Sequence, residues 1–337
     1  MPADTIGGVT SPALHAEALP RRTAWLPATG GHTLHLREWG HPDGLPVVVL
    51  HGGPGSGASP ALARFFDPQR YRVIVPDQRG AGGSRPRGAT HDNTTVDLLA
   101  DLRALRKQLG IERWLVVGGS WGATLALLHA LDEPSAVTGL LLRSTFLARA
   151  EDIAWFFQGA AEEAADAWQD FAAVAPAARR SALLPFFAQQ LHIDDVATRH
   201  AVALAWWRWE QTLARSTTAS STTPDDAMLD ALVDRYRVQS HYMLHQCWVD
   251  PPLPDRCAEL PRVPTLLLHG TQDRICRPEG AMLLHARLPH SCLQWAPDVG
   301  HDPFHPTMAS AMVRSLDGFA ATGRFDPDFD PAHDPAP

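Results

Sequence analysis

Residues 114–130, WLVVGGSWGATLALLHA, constrain this chain more than any other stretch. An apolar run stops at Gly118-Gly119-Ser120-Trp121-Gly122, and a helical run follows at once. A G-x-S-x-G turn between a strand and a helix presents a nucleophilic serine. The backbone reverses so sharply that the serine takes strained angles. Residues two before and two after it then pass too close to their neighbours for a Cβ. The same turn aims the N–H of Trp121, at the helix N-terminus, toward a developing oxyanion.

A parallel sheet around this turn is legible on both sides of it. LPVVVLHGG, YRVIVPDQRG and VTGLLLRS are short, continuous apolar runs. NTTVDLLADLRALRKQLGI has helical period, with Val96, Leu99, Leu102, Leu105, Arg106 and Leu109 near one face. Strands apolar on both faces, alternating with helices, predict a mostly parallel sheet with helices on both faces. The pattern resumes at RVPTLLLHGTQD and continues through a helical EGAMLLHARL to CLQWAPDVGH. Residues 146–257 differ: they lack a strand run, have helical period, and hold six of the eleven tryptophans. With 337 residues, 45% of them hydrophobic, the chain suits one large α/β core carrying an insertion. The predicted organisation is a core in two parts, 1–145 and 258–323, with a helical cap, 146–257, between them. RSTTASSTTPDD, residues 215–226, reads as a loop of the cap. Residues 1–20 and the Asp/Pro-rich tail 324–337 read as weakly ordered.

A serine nucleophile needs a base and an acid, here in the chain order Ser, Asp, His. Asp273 follows the strand of LLLHGTQD, and His301 follows the strand of LQWAPDVGH. Both lie past strand ends, where active sites of open α/β sheets collect. His301 would take the Ser120 proton, and Asp273 would orient the imidazole and stabilise its cation. HGGPGSG, residues 51–57, also follows a strand. It lacks G-K-[ST] and opens no helix in the G-x-G-x-x-G manner, so it reads as an oxyanion loop, with the N–H of Gly52 or Gly53 facing Ser120. Two histidine pairs at i, i+4, His241/His245 and His301/His305, have the spacing of a zinc site. The first has no glutamate between its members and Pro303 interrupts the second, so no metal is expected. Nothing calls for a cofactor.

The formal charge of −8 argues against nucleic-acid and anionic-membrane partners. The N-terminal twenty residues lack the basic and apolar regions of a signal peptide, and no run approaches a membrane span. Four cysteines without C-x-x-C spacing predict free thiols in a reducing cytoplasm.

ALAWWRWEQTL, residues 203–213, sets Trp206, Trp209, Glu210 and Leu213 on one helical face. A carboxylate on an apolar face needs a cation. Either a substrate supplies it or a cap arginine does, such as Arg208 or Arg235.

HGGPG, DQRGAGGS, GGSWGATLAL, WWRWE and HGTQD…GH together resemble the bacterial prolyl iminopeptidases of the α/β-hydrolase fold. The resemblance runs from about residue 22 to 320. It implies a serine exopeptidase that releases N-terminal proline from a small peptide, amide or ester with a free N-terminus. Ser120, Asp273 and His301 would be catalytic, and Gly53 and Trp121 would form the oxyanion hole. Glu210 would bind the α-ammonium. Trp209, His241 and Tyr242 would line the substrate site with Gln239, which stands where the family carries a second acid. A glutamine accepts a hydrogen bond but brings no charge. That substitution leaves a general esterase or amidase as the alternative. The dehalogenases and epoxide hydrolases of this fold use an aspartate at the elbow, so Ser120 argues against both. Oligomeric state is not legible.

Overall fold

The computed structural model describes residues 14–214 and 224–326. Eight strands form one sheet in the order β1-β2-β4-β3-β5-β6-β7-β8. They are β1 (Arg22–Pro27), β2 (Thr33–Gly40), β3 (Leu45–Leu50), β4 (Tyr71–Pro76), β5 (Trp114–Gly119), β6 (Val137–Arg143), β7 (Thr265–Gly270) and β8 (Ser291–Ala296). β1 and β2 pair antiparallel, as do β2 and β4; every pairing from β4 through β8 is parallel.

The continuous apolar runs are explained by burial on both faces. On β3, Val48 and Leu50 join a cluster with Ile74, Val116 and Leu142, while Val47 and Val49 join Val73, Val75, Val117 and Leu141 on the other side. The first face is covered by α1 (Thr95–Gln108), α2 (Trp121–Asp132) and α8 (Pro278–Arg287). The second is covered by α9 (Pro306–Thr322), through Met308, Met312, Leu316 and Phe319.

The face of α1 differs from the expectation. Leu98, Leu102 and Leu105 point inward with Asp101, while Val96 is 67% exposed. Leucine spacing admits several helical frames. The frame taken turns Asp101 inward, where Arg79 binds it in bidentate fashion at 2.7 and 2.8 Å.

Among the described residues between β6 and β7 lie five α-helices and no strand: α3 (Ala150–Phe157), α4 (Ala165–Ala173), α5 (Leu183–Gln190), α6 (Val196–Ala214) and α7 (Asp226–Leu244). They meet over aromatic rings. Trp206 stacks on Tyr236 at 4.7 Å and Trp209 on Phe171 at 5.7 Å, with Phe156, Phe157 and Phe187 around them. Most of the loop expected at 215–226, namely 215–223, lies outside the described residues.

Two terminal expectations need correction. Residues 14–20, read as weakly ordered, are tied down: His15 N–H donates to the Arg64 carbonyl at 2.9 Å and Trp39 Nε1–H to the Ala18 carbonyl at 3.0 Å. At the other end Phe325 is buried against Phe319. Both ends gain a backbone or ring partner that composition does not reveal. Residues 1–13 and 327–337 lie outside the described residues.

Candidate active site

Ser120 follows β5 and precedes α2, with φ 58° and ψ −125°. Positive φ in a residue with a side chain is strained, and the turn is held by its surroundings. Ser120 N–H donates to the Arg143 carbonyl at 3.0 Å, and the Ser120 carbonyl accepts from Ala123 at 2.9 Å. A Cβ at Gly118 would overlap the Gly122 carbonyl, and one at Gly122 would overlap that of Leu50. These are the two glycines that the elbow geometry demanded.

Asp273 lies three residues past the end of β7, and His301 five past the end of β8. The His301 Nδ1 is 2.8 Å from Asp273 Oδ2. Asp273 Oδ1 accepts from the N–H groups of Ile275 and Cys276 at 3.0 and 2.9 Å. Burial alone would raise the Asp273 pKa. The neighbouring His301, its hydrogen bond, His269 and the Cys276 N–H more than offset this and hold the carboxyl well below its usual range. His269 is itself fixed. Its Nδ1 accepts from Thr145 N–H at 3.2 Å, its Nε2 faces the Cys276 carbonyl at 2.8 Å, and burial depresses its pKa.

Ser120 and His301 line one cleft of about 740 Å³ at the meeting of core and cap. Gly52 and Gly53 form its edge. A Cβ on Gly52 would come within 3.2 Å of the Ser120 Cβ, so this loop passes directly against the nucleophile. Gly53 has φ 111°, a conformation that suits glycine.

Glu210, Arg235 and Gln239 line the cap side of the same cleft. Glu210 Oε2 takes Arg235 Nη2 at 2.6 Å and the Tyr236 hydroxyl at 3.0 Å; Oε1 takes Gln239 Nε2 at 3.1 Å. Of the two sources of a cation for Glu210, the structure contains the arginine, and it is Arg235. The orientation of Gln239 follows from its neighbour, since only the amide nitrogen can donate to a carboxylate. That leaves Gln239 Oε1 buried and without a hydrogen-bond partner.

Three side chains expected to touch substrate stand behind the cleft wall. Trp209 is fully buried in the cap core, and its indole N–H donates to the Phe156 carbonyl at 2.9 Å. Tyr242 donates its hydroxyl to Asn93 Oδ1 at 3.0 Å and meets Trp121 edge-on at 5.1 Å. His241 faces the Asn93 carbonyl through Nε2 at 3.2 Å and stands against the Trp248 ring. Each aromatic satisfies its polar atom inside the protein, which turns it from the cleft. The apolar wall is instead Phe146, Ile153, Phe156, Met243 and Ile275. Sequence reading missed these because they come from separate elements. For the cluster around Glu210 a signal existed: Arg235 and Gln239 are i, i+4 on α7 and share a face.

Comparisons with known proteins place the chain by family and fold. A family described as alpha/beta hydrolase fold matches residues 46–306. A proline iminopeptidase of Xanthomonas citri is 38% identical, over 91% of this chain and 99% of that protein. A probable proline iminopeptidase of Leptolyngbya boryana is 37% identical, over 91% and 97%. A proline iminopeptidase of Arabidopsis thaliana is 38% identical, over 89% and 80%. Among solved structures, a haloalkane dehalogenase variant of Bradyrhizobium elkanii superposes with a TM-score of 0.61 at 22% identity, over 89% of this chain and 96% of that one. That likeness speaks to the fold alone.

Proposed function

We propose, since the chain belongs to the α/β-hydrolase family and within it to the proline iminopeptidases, that it is a serine exopeptidase releasing N-terminal proline from peptides. Ser120 Oγ attacks the prolyl carbonyl while His301 Nε2 takes its proton. The N–H groups of Trp121 and Gly53 receive the oxyanion. Asp273, held ionised, stabilises the imidazolium and keeps the ring's other nitrogen toward Ser120. His301 then protonates the departing amine. Water, deprotonated by the same histidine, cleaves the prolyl ester and restores the hydroxyl.

The observation that carries the substrate reading is the orphaned Oε1 of Gln239 beside the Glu210 carboxylate. A buried acceptor without a donor costs about 1–3 kcal/mol. An N-terminal proline is a secondary ammonium with two N–H donors. One can reach Glu210 and the other can satisfy Gln239, while the ring packs on Phe146, Phe156 and Met243. A blocked N-terminus offers neither donor and leaves Gln239 Oε1 unmet.

One observation favours a second reading. Glu210 already has Arg235 at 2.6 Å, so its carboxylate is balanced without a substrate amine. A general esterase or amidase needs none. Prolyl and other aminoacyl naphthylamides, free and N-acetylated, separate the two. Free prolyl substrate should be turned over at least a hundredfold faster than its acetylated form, given roughly 3 kcal/mol from two lost charge-assisted bonds. Equal rates would exclude the exopeptidase. The four cysteines form no disulfide with one another, in keeping with a reducing cytoplasm as the site of action. Among the described residues no helix is long and apolar enough to cross a membrane.

A further inference from the structure

Three motifs that lie apart in sequence are tied together behind the cleft by one glutamine. Gln78 follows β4, is 7% exposed, and does not line the cleft. Its Nε2 donates to the His51 carbonyl at 2.8 Å. Its Oε1 accepts the indole N–H of Trp121 at 2.8 Å. Its own backbone N–H donates to His51 Nε2 at 3.0 Å, and His51 Nδ1 faces the Gly52 carbonyl at 2.8 Å. The partners leave no freedom of assignment. An indole N–H only donates and a carbonyl only accepts, so the amide oxygen faces Trp121 and the amide nitrogen faces His51. His51 accepts at Nε2 and therefore donates at Nδ1, as the neutral tautomer.

Trp121 and the 51–53 loop are the two sides of the proposed oxyanion hole. One must hold its N–H at a helix start and the other at the edge of a glycine loop. Nothing in either segment alone sets the distance between them. The residue before Gln78 secures the far end of the same loop: Asp77 Oδ1 accepts Ala58 N–H at 2.7 Å. We propose that Gln78 is the positioning residue of the oxyanion hole, the bridge that holds the Trp121 and Gly53 donors at the spacing a tetrahedral intermediate requires. An amide is the group for this place because it donates and accepts at once. A carboxylate would set an acceptor against the His51 carbonyl, and an alkyl chain would leave both partners unpaired.

This inference rests on the acyl-transfer reading of Ser120 but not on the substrate's identity, and the test separates the two. Gln78→Leu removes both bridges, Gln78→Glu removes only the one to His51, and Trp121→Phe removes only the indole donor while keeping its backbone N–H. Losing an oxyanion donor outright costs roughly a hundredfold to a thousandfold in kcat; misplacing one should cost roughly tenfold to a hundredfold. The expected result is that kcat falls by such a factor in all three variants with KM unchanged. Turnover of p-nitrophenyl acetate should fall by the same factor. Affinity for a prolyl boronic acid, a tetrahedral adduct of Ser120, should fall in parallel, while competitive inhibition by prolinol, which has no carbonyl to attack, stays constant. Unchanged kcat in variants with wild-type melting temperature would overturn the proposal. So would a loss shared equally by boronate and prolinol, which would mark general damage. If Gln78→Leu fails to fold, Gln78→Glu and Trp121→Phe carry the test. Failure of the wild-type protein to release proline would refute the exopeptidase reading, while the ester and boronate measurements would still decide the role of Gln78.

Discussion

Glu210 and Gln239 behave as one unit because a single hydrogen bond of 3.1 Å joins them. Gln239→Glu replaces that bond's donor with a second carboxylate oxygen at about the same distance. Two carboxylates so close do not both ionise, even with Arg235 beside them. The variant should lose about 1–3 kcal/mol of stability at pH 7. Thermal scans should recover it as pH falls toward the ordinary carboxyl range, where the unfolded chain takes the same proton. KM for free prolyl substrate should fall, since the amine then lies between two acids. A difference in melting temperature from the wild type that does not change with pH would show that the two side chains do not face each other. At this scale legibility divides sharply. Ser120, Gly118 and Gly122 are readable because their geometry is local to five residues. The Arg235 contact was one of two sources the sequence left open for Glu210. The hydrogen bond to Gln239 was readable only in part: Arg235 and Gln239 share a face of α7, but how α6 lies on that face is not local.

Helices and strands came out of the sequence where burial is simple, and less well where polar groups are buried in pairs. On α1 the Asp101–Arg79 pair turned an acid inward and Val96 outward. On α2 the same thing happens at His129, fully buried and accepting the Trp114 indole N–H of β5 at Nε2, 3.0 Å away. Burial is the first cause of its low pKa, about 4 against an ordinary 6.5. Such a histidine favours the folded state as a neutral ring. Its contribution is complete above about pH 6.5 and is lost as pH falls toward about 4, because the unfolded chain takes the proton first. That loss is on the order of 3 kcal/mol. His129→Gln keeps an acceptor for Trp114 without a titrating group. Urea midpoints measured from pH 7 to 4 should fall less steeply in this variant than in the wild type. Parallel curves would remove His129 from the acid response.

Across the whole molecule the candidate site is assembled from distant parts: Ser120 from β5, Asp273 past β7, His301 past β8, and Glu210 from the cap. The order Ser, Asp, His and the strand-end positions made the first three legible. The cleft wall was not, because it exists only once core and cap meet. The depressed pKa of Asp273 has a consequence for the complete enzyme. The carboxyl stays ionised well below the usual carboxylate range, so its own protonation should add nothing to the acid limb of kcat/KM. The carboxylate's contribution to stability is present above its ordinary pKa of 3.8 and lost as pH falls through the lower folded value. Asp273→Asn should lower kcat by roughly 10⁴ while Ser120 remains in place. A loss below tenfold would displace Asp273 from its assigned role.

One apolar cluster runs without a break from Val116 and Leu142 of the sheet, through Trp121 and Tyr242, to Trp206 and Trp209. The helical insertion is therefore a keystone rather than a lid. Remove it, and the ring beneath the nucleophile faces water. Exchange it for that of another hydrolase, and the host must rebuild the stack under its own catalytic turn.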